Sequence, residues 1–556
     1  MSGQKLTEKF KLFNISRRKL ILLGLSAIPL VSLLKFIREK SSKLISGKII
    51  GASFQMAHLI RGAKFPKVRS SEEVDVIIVG GGIAGLSAAH HLQKNNFKNF
   101  KILELEKNVG GKSHSGKNNI TPYPWGAHYI PFPGEDAVFT RELFEELKII
   151  TGYDTKGLPI YNEYFICADP SDRLFIHGRW QEGIIPKEGV PKADQLEIQQ
   201  FLNTMERFKW EKGSDNKYAF TIPIAMSSKD SKYLSLDKLT IYDYLKSNNW
   251  HSQYLYWYVD YCCKDDYGTT IKNTSAYAGI HYFASRKGKA SNASADEILT
   301  WPEGNGYIVK KLESFLHKNI VKNSLVYNIK KVSNRTFVDS YDPLTKSSKR
   351  YIAKSVIFAA PRFVGKKVIN DWKKHPPDYL NSFHYSPWMV ANITLKDRPA
   401  ESPENAPLSW DNVNFHSKSL GYIVASHQGL KSKQKETVLT YYMPLCEKDS
   451  VSERLKAIVR THSSWINLIK NDLTKMHPYI EDKITHIDVW VWGHGMIQPR
   501  PNFITNYAGN NLSRKFQDIY FAHSDMSGIS IFEEAQYQGI MTAKEILNRL
   551  SKGKQS

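Results

Sequence analysis

The clearest apolar pattern in the chain is a β-branched run at residues 74–79 (VDVIIV), followed at once by three glycines and then by apolar positions at helical spacing from Leu86 to Leu92. A short continuous apolar run bounded by glycine predicts a buried strand, and the three-and-four spacing predicts a helix packed on it. A second short strand is predicted at 100–103 (FKIL), ending at Glu104. A further short strand is predicted at 518–522, and a last helix follows Glu533 to about Leu550. In the strand pattern around 490–496, Trp490 and Trp492 share one face, since side chains alternate. Strands alternating with helices predict the α/β class, with a parallel sheet covered on both faces.

The first 36 residues follow another pattern. Residues 1–19 are polar and basic and end in Ser16-Arg17-Arg18-Lys19, and an apolar run at 20–34 follows, interrupted by Gly24 and Pro29. The run is shorter than the roughly 20 residues of a spanning helix and has the form of a signal-peptide core. The Arg pair resembles a twin-arginine export signal, which carries proteins already folded. The resemblance implies a location in the periplasm or on the periplasmic side of the inner membrane. No clean cleavage site follows: Ala52 has Ile50 where a small residue is wanted. The segment is therefore a signal or a retained anchor, and in the second case the basic residues of 35–48 meet a membrane surface. Residues 37–72 read as a connector with some helical character.

Composition narrows the class. The chain has 556 residues, 41% hydrophobic and 24% charged, enough for two or three folded domains. Its net charge of +23 is spread as scattered lysines, without an Arg-rich run or zinc-finger spacing, so nucleic acid is not expected as a partner. Cys167, Cys262, Cys263 and Cys446 form no CxxC pair, and no metal site is expected. The roles of the adjacent Cys262 and Cys263 stay open.

The three glycines carry chemistry. Gly80 permits the tight turn, Gly82 lets bare backbone approach a diphosphate, and Gly85 lets the helix pack close to the strand. The helix N-terminus then offers free N–H groups to the phosphates. Glu104 stands 104 − 85 = 19 residues beyond Gly85, near the spacing of a ribose-binding carboxylate. Glu106 is the alternative acid.

Val109-Gly110-Gly111-Lys112, just past the acid, resembles the extended FAD signature of the flavin amine oxidase, protoporphyrinogen oxidase and phytoene desaturase superfamily. Lys112 stands where that family usually has Arg. A late motif also resembles the family: residues 518–522, then His523-Ser524-Asp525, then Glu533 to Gly539. The resemblance implies that Asp525 holds the ribityl chain, and that residues 325–332 touch adenine through backbone, with Ile329 the favoured contact. Residues 301–306 (WPEGNG) resemble the glycine-bearing start of a cofactor-domain helix, and 355–361 the return strand and turn.

The implied fold is a Rossmann-like FAD-binding domain of the GR2 type with a discontinuous α+β substrate domain. FAD-binding parts fall at 73–160, 300–375 and 505–552, and substrate-domain parts at 161–299 and 376–504. The implied function is an FAD-dependent oxidoreductase of amine-oxidase type, taking hydride from an amine at flavin N5 and passing electrons to oxygen or another acceptor. Two alternatives remain open: a desaturase or dehydrogenase of an apolar, membrane-derived substrate, and a non-catalytic flavin-binding partner protein. Candidate catalytic residues are His128, in a segment (123–129, YPWGAHY) placed where the family approaches the flavin, and Trp492 and His494. Residues 261–268 read first as a solvated turn with an ion pair to Lys264 or Arg286, and alternatively as pocket lining, with Asp265 or Asp266 binding a cationic amine. Two departures from the family stand out. The strand pattern at 388–393 lacks the lysine many members carry, and no cysteine follows Cys446, so non-covalent FAD is expected.

Overall fold

A computed structural model describes residues 45–401, 404–429, 435–507 and 514–552. The leader at 1–36 and connector residues 37–44 lie outside the described residues, and the export and anchor readings lie there with them.

The first sheet is built on the strand Val68–Val79, which runs parallel to Phe100–Leu103 on one side and to Ser347–Phe358 on the other. Ile519–Phe521 adds a further parallel strand beside Ser347–Phe358. The apolar run at 74–79 is continuous because both faces are covered. Val76 and Ile78 face the helices Ile83–Lys94, Gly306–Leu316 and Phe532–Lys552, while Ile77 and Val79 pack with Val368, Ile369 and Trp372. An antiparallel meander, Leu325–Val332, Arg335–Asp342 and Ser347–Phe358, closes the other end.

The second sheet has eight strands, in the order Ile49–Gly51, Ile484–Ile497, Tyr385–Leu395, Thr437–Pro444, Tyr422–Val424, Asp411–Asn414, Asp172–Ile176 and Arg179–Glu182. Trp388, Val390 and Trp490 of this sheet share one core with residues of the helices Lys192–Trp210, Gln253–Tyr267 and Ala276–Ala284.

Two local readings change. The helical character expected of the connector is the short helix Phe54–Ala57 and the 3-10 turn His58–Arg61, but residues 49–51 form an edge strand on Val489–Val491, and the first strand already begins at Val68. Residues 261–267 are no solvated turn but the buried end of the helix Gln253–Tyr267, which stops at Gly268 in the left-handed conformation, φ 63°. Among the described residues, no helix is long and apolar enough to cross a membrane.

Candidate active site

The three glycines of the turn stand in different surroundings. Gly80 has φ +104°, which favours glycine, and its N–H donates to Leu103 O at 2.9 Å. A Cβ on Gly85 would lie 2.0 Å from Gly80 O, so helix and turn touch through bare backbone. A Cβ on Gly82 would meet nothing closer than Gly111 Cα, at 3.9 Å. The second glycine pair lies directly against the first: Gly110 N–H donates to Gly81 O at 2.8 Å. Glu104 closes this cradle. Its carboxylate accepts the N–H of Gly81 at 2.7 Å and that of Glu106 at 2.8 Å, and burial pushes its pKa up to about 7. Glu106 instead accepts the N–H and hydroxyl of Ser53, both at 2.7 Å, and ties down the connector.

The strand Leu325–Val332 meets the cradle at its beginning, where Ser324 N–H donates to Glu104 O at 2.8 Å. Ile329 is not brought to this place. It is buried, bridges to Ile369 and packs with Trp372. It stands five residues along the strand from Ser324, about 16 Å at a strand's rise per residue. The residue bonded to the cradle is Ser324.

At the other end stands Lys112, whose pKa burial lowers while Asp525 opposes the shift. Its Nζ lies 3.4 Å from Ser530 Oγ, just ahead of the helix Phe532–Lys552. Asp525 is fully buried and accepts the N–H of Arg362 at 3.0 Å and the hydroxyl of Tyr385 at 2.5 Å. His523 Nδ1 lies 2.9 Å from its second oxygen. Burial alone would raise the Asp525 pKa, but His523, Lys112 and Tyr385 outweigh it and hold it well below the carboxylate range. Ser524 and Ser530, whose hydroxyls are 3.4 Å apart, also stand at this turn.

From Lys112 the structure passes directly to the aromatic segment. Ala127 N–H donates to Lys112 O at 2.9 Å, and a Cβ on Gly126 would lie 2.2 Å from that oxygen. His128 stacks on Tyr442 with centroids 4.4 Å apart, and Trp410 flanks it at 5.5 Å. The His128 Nδ1 and the Tyr442 hydroxyl both reach Gly126 O, at 3.2 and 2.9 Å. Burial pushes His128 down to about 4, so it is neutral near pH 7. Trp492 joins the same segment, its indole N–H donating to Trp125 O at 2.6 Å, with Trp490 beside it at 5.0 Å. His494 stands apart, stacked on Phe363 at 4.0 Å and 5.8 Å from the ring of Tyr385, with burial and then Arg454 pushing it down to about 3.

Behind the stacked pair lie carboxylates. Asp265 accepts the hydroxyl of Tyr129 at 2.8 Å; burial, then the charge of Asp266, pushes it up to about 7. Asp266 is bonded to Arg286 through both oxygens, at 2.9 and 2.8 Å. Asp411 accepts the hydroxyl of Tyr261 at 3.3 Å, and burial, then Asp172 and Asp265, holds it well above its ordinary value. Cys262 and Cys263 are buried on the same helix, and burial raises both thiols, so neither is a ready nucleophile.

A family model of the NAD(P)-binding Rossmann-like domain matches residues 78–147. L-amino acid dehydrogenase of Synechocystis sp. is 23% identical over 298 residues, 54% of this chain and 58% of that protein. Flavin-containing amine oxidase B of Bos taurus is 21% identical over 315 residues, 54% of this chain and 52% of that protein. The match spans little more than half the length of these curated relatives. The solved structure of wild-type putrescine oxidase bound to putrescine has a TM-score of 0.61 at 15% identity, covering 86% of this chain and 100% of that one. The chain is similar to flavin-containing amine oxidases over about half of its length and shares the fold of putrescine oxidase.

Within this fold, Gly80, Gly82, Gly85 and Glu104 came from local spacing, and Gly111 and Lys112 from the resemblance of residues 109–112 to the extended FAD signature. Tyr442, Trp410 and Asp411 did not, because they arrive on strands and loops with no motif of their own. The only signal was an acid beside tryptophan in Trp410-Asp411. The strand Tyr385–Leu395 carries no lysine, as its sequence already indicated.

The cradle's acid gives a pH test. The folded pKa of Glu104 is raised, so the stability it contributes is present below about 4.5 and is lost as pH rises through about 7. Glutamine bears no charge to desolvate. In flavin-free protein, the melting temperature of Glu104→Gln relative to wild type should climb steadily between those pH values. A difference independent of pH would show that Glu104 is solvated.

Proposed function

We propose that the protein is an FAD-dependent oxidoreductase that takes hydride from an amine-type substrate. Gly80, Gly82, Gly85 and Gly111 would admit the diphosphate, Glu104 the ribose, and Lys112 would place a cation beside the phosphates. Bound FAD supplies the hydride acceptor. The bond pattern favours non-covalent binding, since the late motif offers no cysteine.

The observation that carries the amine reading is the stacked His128–Tyr442 pair backed by Asp265 and Asp411. Aromatic walls exclude water and favour a neutral amine at the moment of transfer. Asp265 and Asp411 are held toward their neutral forms by burial, and an entering cation would let them ionise. Arg286 is already bonded to Asp266 and Lys264 pairs with Asp260 at 2.7 Å, so a substrate carboxylate would meet like charge here. This favours amines over α-amino acids.

The test is anaerobic mixing of the flavin-loaded protein with diamines, monoamines, amino acids and lipid-like alkanes and alkenes, followed by flavin bleaching. Amines should bleach it, and Asp265→Asn should raise KM for a cationic amine about 10-fold, the equivalent of ~1.4 kcal/mol, with a smaller change in kcat. Bleaching by amino acids, with amines inert, overturns the reading. Bleaching by the lipid-like compounds alone selects the second reading, dehydrogenation of an apolar substrate. The lysine-free strand Tyr385–Leu395 and the tryptophan wall of Trp125, Trp490 and Trp492 favour that alternative.

A further inference from the structure

The segment ahead of the first strand is pinned close to the glycine cradle at several points. Ser53 gives its N–H and its hydroxyl to Glu106, both at 2.7 Å, and the N–H of Glu106 in turn bonds the carboxylate of Glu104 at 2.8 Å. Phe65 stacks on Tyr327 at 4.1 Å, on the strand that follows Ser324, whose own N–H bonds Glu104 O. Between these two anchors Ile60 packs with Val79 and Leu103, the last residues of the two strands that lead into the cradle.

What the segment brings there is positive charge. The turn His58–Arg61 places His58 and Arg61 in range of His494, with Arg454 and Lys112. These four are the strongest charges acting on His494, and each opposes its protonation. Arg61 also acts on Arg454 and on His58 in the same sense. Arg454 is held by two backbone carbonyls, Gly493 O at 2.6 Å and Tyr385 O at 3.2 Å, and Lys112 lies 3.4 Å from Ser530 Oγ. His494 faces the ring of Tyr385, whose hydroxyl is bonded to Asp525, and Asp525 is the acid that acts on Lys112. Glu106, the acid at the segment's anchor, acts instead on His114. Among the described residues, no carboxylate forms an ion pair with Arg61, Arg454 or Lys112. Arg454 and Lys112 are partly buried, so gathering these cations is costly until an anion completes the group.

We propose that the turn His58–Arg61 is part of the cofactor site, with Arg61 and Arg454 joining Lys112 in neutralising the diphosphate of FAD. This rests on the FAD reading above and adds to it a contribution from outside the strand–turn–helix unit. Lys112 offers a point charge but no fork, whereas a guanidinium grips phosphate oxygens in pairs. Arg61 keeps its whole fork for that purpose, while Arg454 spends Nε and one terminal nitrogen on carbonyls and keeps the other. The segment then closes over the bound cofactor, and FAD leaves quickly only when the bonds of Ser53 to Glu106 open.

The test is FAD binding to the flavin-free full chain, followed by flavin fluorescence at low and high salt. Arg61→Ala should raise the Kd for FAD about 10-fold at low salt and flatten its rise with salt, and Arg61→Lys should recover part of the loss. Arg179→Ala, on the opposite edge strand of the second sheet, should leave the Kd unchanged. The flavin-free Arg61→Ala protein should melt no lower than wild type, since it loses one of several like charges; a purely structural role would lower its melting temperature. Glu106→Ala, which releases Ser53, should speed FAD release several-fold, and Glu106→Gln, which still accepts the Ser53 N–H, should restore much of the wild-type rate. An Arg61→Ala protein with the wild-type Kd and salt response overturns the proposal and leaves the FAD reading standing. Wild-type protein that takes up no flavin overturns both. Inorganic phosphate that raises the melting temperature of the FAD-loaded wild type but not of FAD-loaded Arg61→Ala also overturns the proposal, because the cations would then serve an anion site apart from the cofactor.

Discussion

Gly82→Val is expected to leave the protein folded and colourless. Gly82 has φ −74° and ψ −177°, an extended conformation open to any residue, so the backbone does not require glycine here. Nor does the packing: a Cβ would meet only Gly111 Cα, at 3.9 Å. What the missing side chain leaves free is the gap between two stretches of bare backbone, where N–H groups at the head of the helix Ile83–Lys94 can approach a diphosphate. Valine would place three carbons in that gap. The Kd for FAD should rise at least ~100-fold, about 2.8 kcal/mol, with alanine in between. Flavin absorbance per chain and the melting temperature of the flavin-free protein separate the two effects. Gly85→Ala is the contrast, since its Cβ would lie 2.0 Å from Gly80 O and must disturb the fold itself. A Gly82→Val protein with full flavin occupancy would place the diphosphate elsewhere.

The contrast between these glycines reflects what a sequence can carry. The cradle is assembled within some 40 residues, so the strand, turn, helix and acid specify one another locally, and Glu104 could be chosen by spacing. The strand Leu325–Val332 was expected from the family resemblance rather than from local spacing, and it forms over those residues. Which residue meets the cradle was not legible, because that depends on where a strand from elsewhere docks, and docking puts Ser324 rather than Ile329 at Glu104. The start of the first strand, residues 68–73, has no apolar period, and it pairs with residues 348–352. The end of the helix Gln253–Tyr267 misled for a different reason. Adjacent aspartates and a lysine ordinarily mark solvent. Here Asp266 is paired with Arg286, as expected, but inside the fold, and Asp265 is matched by a tyrosine 136 residues away in sequence, a pairing that only the tertiary fold creates.

Asp525→Asn should destabilise the protein strongly near neutral pH and progressively less in acid. The carboxylate is fully buried and holds three otherwise separate pieces together: the N–H of Arg362 after the strand Ser347–Phe358, the hydroxyl of Tyr385 at the start of the second sheet, and His523 of its own turn. Removing one partner from a buried ionic cluster typically costs about 3–5 kcal/mol. Asparagine keeps the size but gives up the charge and one acceptor. Desolvation by burial pushes the Asp525 pKa upward, yet the net shift is downward, because His523, Lys112 and Tyr385 together exceed it. A depressed folded pKa means that the group's contribution is complete above the unfolded value, about 3.9, and fades as pH falls through the lower folded value. The melting deficit of Asp525→Asn should therefore be largest above pH ~5 and shrink below pH ~4. Because the family resemblance gives Asp525 the ribityl chain, the variant should also loosen flavin binding beyond the loss of stability, seen as faster flavin release at a temperature where both proteins are folded. A deficit that is the same on both sides of pH ~4 would mean that Asp525 carries no charge in the folded protein. The late motif would then act as a neutral hydrogen-bond hub, and the cationic end of the cradle would rest on Lys112 alone.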